Sequence, residues 1–258
     1  MTESILQIQP QFAQSEAWDA IAQREGLFYE SIEFFMPQLL EDHLLLHKVR
    51  EWHRRSGRIR SLHGAFIDIN PASGDPAFQQ LSRKRCQDSC LLAKELGASH
   101  VVLHSSCFPF LRGSYMEHWA VTCAEFYTEL AQQHDLNICV ENSQDMDPDP
   151  LCALMEQVKD NRVCVCLDVG HANYSRIAME EWFVRLGPQI AYLHLSDNMG
   201  EFDDHLPLGV GTVDWKLVDS LWQQLNRKTP ITLEVDGISG VEQSIAYLKQ
   251  NGFFGMEA

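Results

Sequence analysis

The chain has 258 residues, of which 45% are hydrophobic and 22% charged, and a formal net charge of −16. That length suits one barrel of eight strand-helix units, so residues 1–258 are expected to form a single domain. So acidic a surface repels polyanions at long range, which argues against nucleic acid and anionic membranes as partners.

Ile5 to Gln9 alternates and is closed by Pro10, which reads as a first strand; Ser15 to Glu25, with Trp18, Ile21 and Ala22 at helical spacing, reads as a helix stopped by Gly26. Leu27 to Phe34 is a second strand. Gln38 to Ser56 sets Leu40, Leu44, Leu45, Val49 and Trp52 along one face, which predicts an amphipathic helix ended by Gly57. The alternation then repeats: strand Ile59 to His63, helix Pro76 to Leu96, strand His100 to His104, helix Tyr115 to His134 and strand Asn137 to Glu141. It continues through helix Asp149 to Val158, strand Val163 to Asp168, helix Arg176 to Leu186 and strand Ile190 to Leu193. Helix Asp214 to Asn226, strand Ile231 to Glu234 and helix Ser239 to Asn251 complete it. Eight strand-helix pairs with near-continuously apolar strands predict an α/β fold, a single (β/α)8 TIM barrel. An open doubly wound sheet is the alternative, but no Gly-x-Gly-x-x-Gly follows the first strand.

Eight cysteines lie in runs that read as core, including Cys86 and Cys90 on a helix and Cys139, Cys164 and Cys166 in strands. Without a CxxC pair or secreted-scaffold spacing, reduced thiols in a cytoplasmic protein are expected. Met1-Thr-Glu-Ser is not a positive region followed by an apolar stretch, so no signal peptide is expected, and no run of about 18 apolar residues offers a membrane span.

What ends each strand carries the chemistry. The third strand ends in His63, the fourth in His104, the fifth in Glu141, the sixth in Asp168, the seventh in His194 and the eighth in Glu234. In a parallel barrel those ends share one rim, where active sites are built. His171 follows Asp168 by three residues, and Asp203 and His205 return from the loop after the seventh strand. A single histidine at a strand end is ordinarily a hydrogen-bonded structural residue, and the acidic loop alone reads as a solvated one. Six metal-competent side chains on six successive strands are the donor set a divalent ion needs, since a half-buried carboxylate is costly without a partner.

These residues carry a resemblance. Leu62-His63-Gly64, Val102-Leu103-His104, Val140-Glu141-Asn142, Leu167-Asp168-Val169-Gly170-His171, His194-Leu195-Ser196-Asp197-Asn198, Asp203 to Gly211 and Leu233-Glu234 stand in the order found in the xylose isomerase-like TIM barrel superfamily, which the chain resembles over nearly its whole length. That superfamily includes sugar isomerases and epimerases and, as a distinct branch, endonuclease IV. The sugar-enzyme branch implies one divalent ion, Mn2+, Co2+, Mg2+ or Zn2+, on Glu141, Asp168, His194 and Glu234. In that branch Glu141 and Glu234 move the proton and His171 binds a substrate hydroxyl. The endonuclease branch implies three zinc ions and a phosphodiester substrate: His63, His104 and Glu141 for one ion, Glu141, Asp168, His194 and Glu234 for a second, and His171, Asp203 and His205 for a third.

The charge and the loops favour the sugar enzyme, a metal-dependent isomerase or epimerase of a keto-sugar, cyclitol or related hydroxy-carbonyl compound. Arg112 stands out as a basic residue in the early loops, where Phe34-Phe35-Met36-Pro37 and Phe108-Pro109-Phe110 are apolar and could wall a small-substrate pocket, form an oligomer contact or fold over the barrel end. Arg112 and His63 are expected beside the substrate. Gly209-Val210-Gly211 has a modest claim as an anion cradle and a stronger one as a turn. Asp197 is expected to support the rim and Asp204 to be solvated. The expected partner is a small carbohydrate, with neither nucleic acid nor membrane; a homodimer is open, since superfamily barrels often pair.

Overall fold

The computed structural model describes residues 6–175, 177–225 and 229–256. Eight strands, β1 (Leu6–Ile8), β2 (Phe28–Ser31), β3 (Ile59–His63), β4 (His100–His104), β5 (Asn137–Glu141), β6 (Val163–Asp168), β7 (Ile190–Leu195) and β8 (Ile231–Leu233), follow one another around a closed barrel. Every pair is parallel, and closure is made by Leu6, Gln7 and Ile8 of β1 against Ile231, Thr232 and Leu233 of β8. Closure excludes the open doubly wound sheet and places every strand's C-terminal end on one rim.

The outer layer contains α1 (Ser15–Glu25), α2 (His43–Ser56), α3 (Pro76–Leu96), α4 (Ser114–His134), α5 (Asp149–Gln157), α6 (Val169–Tyr174), α7 (Met179–Leu186), α8 (Trp215–Gln224) and α9 (Gly237–Asn251). Trp18, Trp52, Trp119, Trp182 and Trp215 are fully buried on these helices and fill the space between them and the barrel wall. Burying rings of that size contributes a large share of the apolar stabilisation.

Three expected boundaries shift for local reasons. The helix expected from Gln38 begins instead at His43, because Pro37–Glu41 forms a 3-10 turn and the Asp42 side chain accepts the amides of Leu44 and Leu45, capping α2. The helix expected over Arg176 to Leu186 is α7, starting at Met179, and it is preceded by the unexpected short helix α6 that leaves β6 directly. The second strand stops at Ser31 rather than Phe34. Ile5, Arg176 and Asn226 lie outside the described residues.

Inside the barrel the floor is polar, with Gln7, Glu30, Ser61, Tyr192 and Thr232 all buried. Beside them Val102, Cys139, Cys164, Cys166 and Tyr192 pack as a small cluster. All eight cysteines are free thiols, Cys139 and Cys164 touching at 3.5 Å between sulfurs. Among the described residues no helix is long and apolar enough to cross a membrane.

Candidate metal centre

All nine expected ligands converge. Glu141, Asp168, His194 and Glu234 bring one ligand atom each within 4.8 Å of one another, as do His63, His104 and Glu141, and His171, Asp203 and His205. His63, His104, Glu141 and Asp168 are the last residues of β3, β4, β5 and β6, and His194 is the next-to-last of β7. Glu234 follows β8 and extends its pairing by donating its amide to Leu195 at 3.0 Å. Glu141 belongs to two groups: Oε1 lies 3.1 Å from His194 Nδ1 and Oε2 3.1 Å from His63 Nε2.

Hydrogen bonds to the outer atoms orient the ligands. His63 Nδ1 lies 3.0 Å from the Gly64 carbonyl and His171 Nδ1 2.6 Å from the Asn142 carbonyl. A carbonyl only accepts, so both rings are protonated at Nδ1 and turn Nε2 inward, His63 towards Glu141 and His171 towards Asp203 Oδ2 at 3.2 Å. Asp168 caps α6, its Oδ1 accepting the His171 amide at 2.5 Å, while Oδ2 has no hydrogen-bond partner. Glu234 Oε2 also lacks a hydrogen bond, although His194 Nδ1 approaches it to 2.6 Å without the alignment of one. Buried carboxylate oxygens without donors, facing imidazole nitrogens whose outer edges are already committed, are what a divalent cation satisfies. The residues present therefore fit such an ion.

The electrostatics agree. Burial, together with the Glu234 and Glu141 carboxylates, pushes Asp168 up to about 7. Burial also opposes the charge on Glu141, but the His194 and His63 rings beside it prevail and hold its carboxyl well below the usual range. His104, pushed down to about 3 by burial, is a neutral imidazole available as a ligand. His205 is drawn up to about 9: burial opposes this, and the Asp203 hydrogen bond and nearby Glu234 outweigh it.

Asp197 builds the loop that carries Asp203 and His205. Its Oδ1 accepts the amides of Asn198 and Val213, and its Oδ2 accepts Gly209 N–H and Trp215 Nε1–H. The Gly209 amide is thereby spent inside the protein, which removes it from an anion cradle. A Cβ on Gly211 would stand 2.2 Å from the Asn198 carbonyl, so Gly211 is there for close approach of two backbone segments. His205 has a positive φ of 46°, a strained backbone held by these contacts.

Around the mouth, Phe66 stacks on His104 at 4.2 Å and on Phe35 at 5.6 Å. Phe34 is buried, whereas Phe108 and Phe110 are 59% and 81% exposed, so the loop after β4 presents its rings to solvent rather than folding them away. Arg112, in the same loop, pairs with Asp147 at 2.7 Å on the rim. Sequence reasoning missed Glu30 of β2, which lies 3.1 Å from His194 Nε2. Its available signal was a carboxylate in a strand, two residues from Phe28 on the same face.

The sequence pattern of the xylose isomerase-like TIM barrel matches residues 20–251. The chain belongs to this family. Two uncharacterized proteins of Methanocaldococcus jannaschii are similar to it: one is 26% identical over 201 residues, 73% of this chain and 68% of the other. The second is 24% identical over 196 residues, covering 74% and 76%. Among solved structures, a Thermus thermophilus protein soaked with zinc chloride has a TM-score of 0.78 at 24% identity, over 95% of this chain and 97% of that one. A protein described as D-tagatose 3-epimerase-like has a TM-score of 0.76 at 21% identity, over 95% and 96%. A D-allulose 3-epimerase from Methylomonas sp. has a TM-score of 0.76 at 15% identity, over 96% and 98%. At these identities the structural likeness establishes the family's barrel rather than a shared substrate.

Proposed function

We propose that the protein is a divalent-metal-dependent isomerase or epimerase of a keto-sugar, cyclitol or related hydroxy-carbonyl compound. The observation that carries this reading is the buried quartet Glu141, Asp168, His194 and Glu234, with ligand atoms within 4.8 Å and two carboxylate oxygens, Asp168 Oδ2 and Glu234 Oε2, left without donors. A bound ion, Mn2+, Co2+, Mg2+ or Zn2+, would supply Lewis acidity that makes the C–H beside a chelated carbonyl more acidic. Glu141 and Glu234 rise from strands three apart in the ring of eight, so they reach the substrate from different sides. One takes the proton from that carbon and the other returns it, which inverts the centre when the two act on opposite faces. His171 orients a substrate hydroxyl, and His63 and Arg112 flank the pocket. The epimerase names of similar solved barrels support the reading as analogy.

A second reading, a three-zinc phosphodiesterase acting on abasic-site DNA, is favoured by the His63, His104, Glu141 and His171, Asp203, His205 groups, which a single-ion mechanism does not need. Against it stand the charge of −16 and the pairing of Arg112 with Asp147 at the rim. Metal analysis of protein purified without added metal decides, together with assays on ketoses in heavy water and on abasic-site DNA. About one exchangeable ion with solvent deuterium entering the sugar supports the sugar enzyme. Three zinc ions per chain with strand cleavage overturn it.

A further inference from the structure

Beneath the rim, the barrel interior holds a carboxylate for which the nine candidate ligands do not account. Glu30 is fully buried in β2, and its oxygens collect donors from other strands and their ends. Gln9 Nε2 donates to Oε1 at 2.8 Å, and the hydroxyls of Tyr192 and Thr232 donate to Oε2 at 2.6 Å and 3.3 Å. The direction of the Tyr192 bond follows from its neighbours. Ser61 donates to Gln7 Oε1 at 2.5 Å and Gln7 Nε2 donates to the Tyr192 oxygen at 2.7 Å, which leaves the phenolic proton for Glu30, the strongest acceptor in reach.

His194 completes the set, with Nε2 3.1 Å from Glu30 Oε1. Every partner of Glu30 arrives as a donor, so Nε2 carries a proton there. That leaves Nδ1 with the lone pair, and Nδ1 is the nitrogen that faces Glu141 Oε1 at 3.1 Å and Glu234 Oε2 at 2.6 Å. His63 and His171 are oriented the opposite way, with Nδ1 on a backbone carbonyl and Nε2 inward. Of these three rings, His194 has its rear nitrogen hydrogen-bonded to a carboxylate, whereas His63 and His171 use theirs on a backbone carbonyl, with Glu141 Oε1 and Asp168 Oδ1 no nearer than 3.6 Å to His171 Nδ1, and His194 alone of the three belongs to the central quartet.

We infer that Glu30 is a positioning residue that fixes His194 as an Nδ1 ligand to the divalent cation of the central quartet and strengthens it from behind through a charge-assisted hydrogen bond. Glu30 lies on the side of the His194 ring away from Glu141 and Glu234, so it acts through the histidine. The inference rests on the metal-dependent reading above but does not depend on which substrate the protein takes.

The test measures Co2+ affinity by competition with a chromophoric chelator for the wild-type protein, Glu30→Gln and Tyr192→Phe. Tyr192→Phe removes a neighbour of Glu30 but keeps its contact with His194. Glu30→Gln should weaken binding about 10–100-fold while Tyr192→Phe stays within about threefold. Equal losses in both variants would reduce Glu30 to a packing role and overturn the inference, as would unchanged affinity in Glu30→Gln. If Glu30→Gln does not fold, nitrogen NMR of the Cd2+-loaded wild-type protein decides instead: metal coupling at His194 Nδ1 with a proton on Nε2 is expected, and the reverse arrangement overturns it. Tight Co2+ binding without sugar turnover would remove the proposed substrate class and leave this inference standing. No Co2+ binding by the wild-type protein would overturn both.

Discussion

Asp197 and Gly209 are joined across twelve residues by a hydrogen bond of 2.9 Å from the Gly209 amide to Oδ2, and this bond closes the loop that holds Asp203 and His205 over the barrel mouth. Three further donors converge on the same carboxylate, from Asn198, Val213 and Trp215. Asp197→Ala leaves them buried without an acceptor, and with hydrogen bonds to charged groups contributing about 1.5–3 kcal/mol each, a loss of at least about 3 kcal/mol is expected in urea unfolding. The loop should also release its ligands, so metal analysis should show any ion on His171, Asp203 and His205 lost before the one on the central quartet. Retention of full stability would show that the carboxylate does not organise the loop.

Most of the fold was legible because strand ends and helix stops are local signals: Gly26 and Gly57 each stand at a helix C-terminus with positive φ, where a side chain would be strained. The convergence of the candidate ligands was legible because a parallel barrel turns position along a strand into position on a rim. Glu30 was not, because its role depends on β7 bringing His194 alongside, a contact 164 residues away in sequence. The helix α6 was missed because it is short and its cap, Asp168, also belongs to the metal-competent quartet.

Glu141→Gln and Glu234→Gln separate proton transfer from folding. Each keeps the side chain's shape, and removal of a positioned acid or base is expected to lower turnover about 10²–10⁴-fold. Exchange of substrate hydrogen with heavy water gives the sharper reading, because a variant that can still abstract but not return the proton shows washout without product. Unchanged exchange in both variants would assign the proton transfer elsewhere.

Metal removal tests the centre through stability. Glu30, Glu141, Asp168 and Glu234 crowd one buried region, where the neighbouring histidines offset part of their mutual repulsion. An ion that binds only the folded chain stabilises it by about 2.7 kcal/mol at 100 times its Kd. For a chain of this size that corresponds to a rise in Tm of about 5–10 °C. Calorimetry in chelator and then in excess Mn2+, Co2+ or Zn2+ should show this difference. Equal Tm values in both conditions would argue against a metal centre.

His53 sets an acid limit independent of the mouth. Its ring stacks on Trp52 at 4.7 Å and neither nitrogen has a hydrogen-bond partner. Burial pushes it from 6.5 down to about 4, against the smaller pull of Asp19. A histidine buried neutral is protonated more readily in the unfolded chain, so its contribution is intact above pH 6.5. It is lost progressively between pH 6.5 and pH 4, with no further change below. The loss is at most about 3.5 kcal/mol, because each pH unit separating the folded and unfolded titrations contributes about 1.4 kcal/mol. His53→Leu should therefore flatten the fall in unfolding free energy between pH 6.5 and pH 4, measured in urea. A variant whose stability falls as steeply as the wild type across that window would place the acid sensitivity in the rim carboxylates instead.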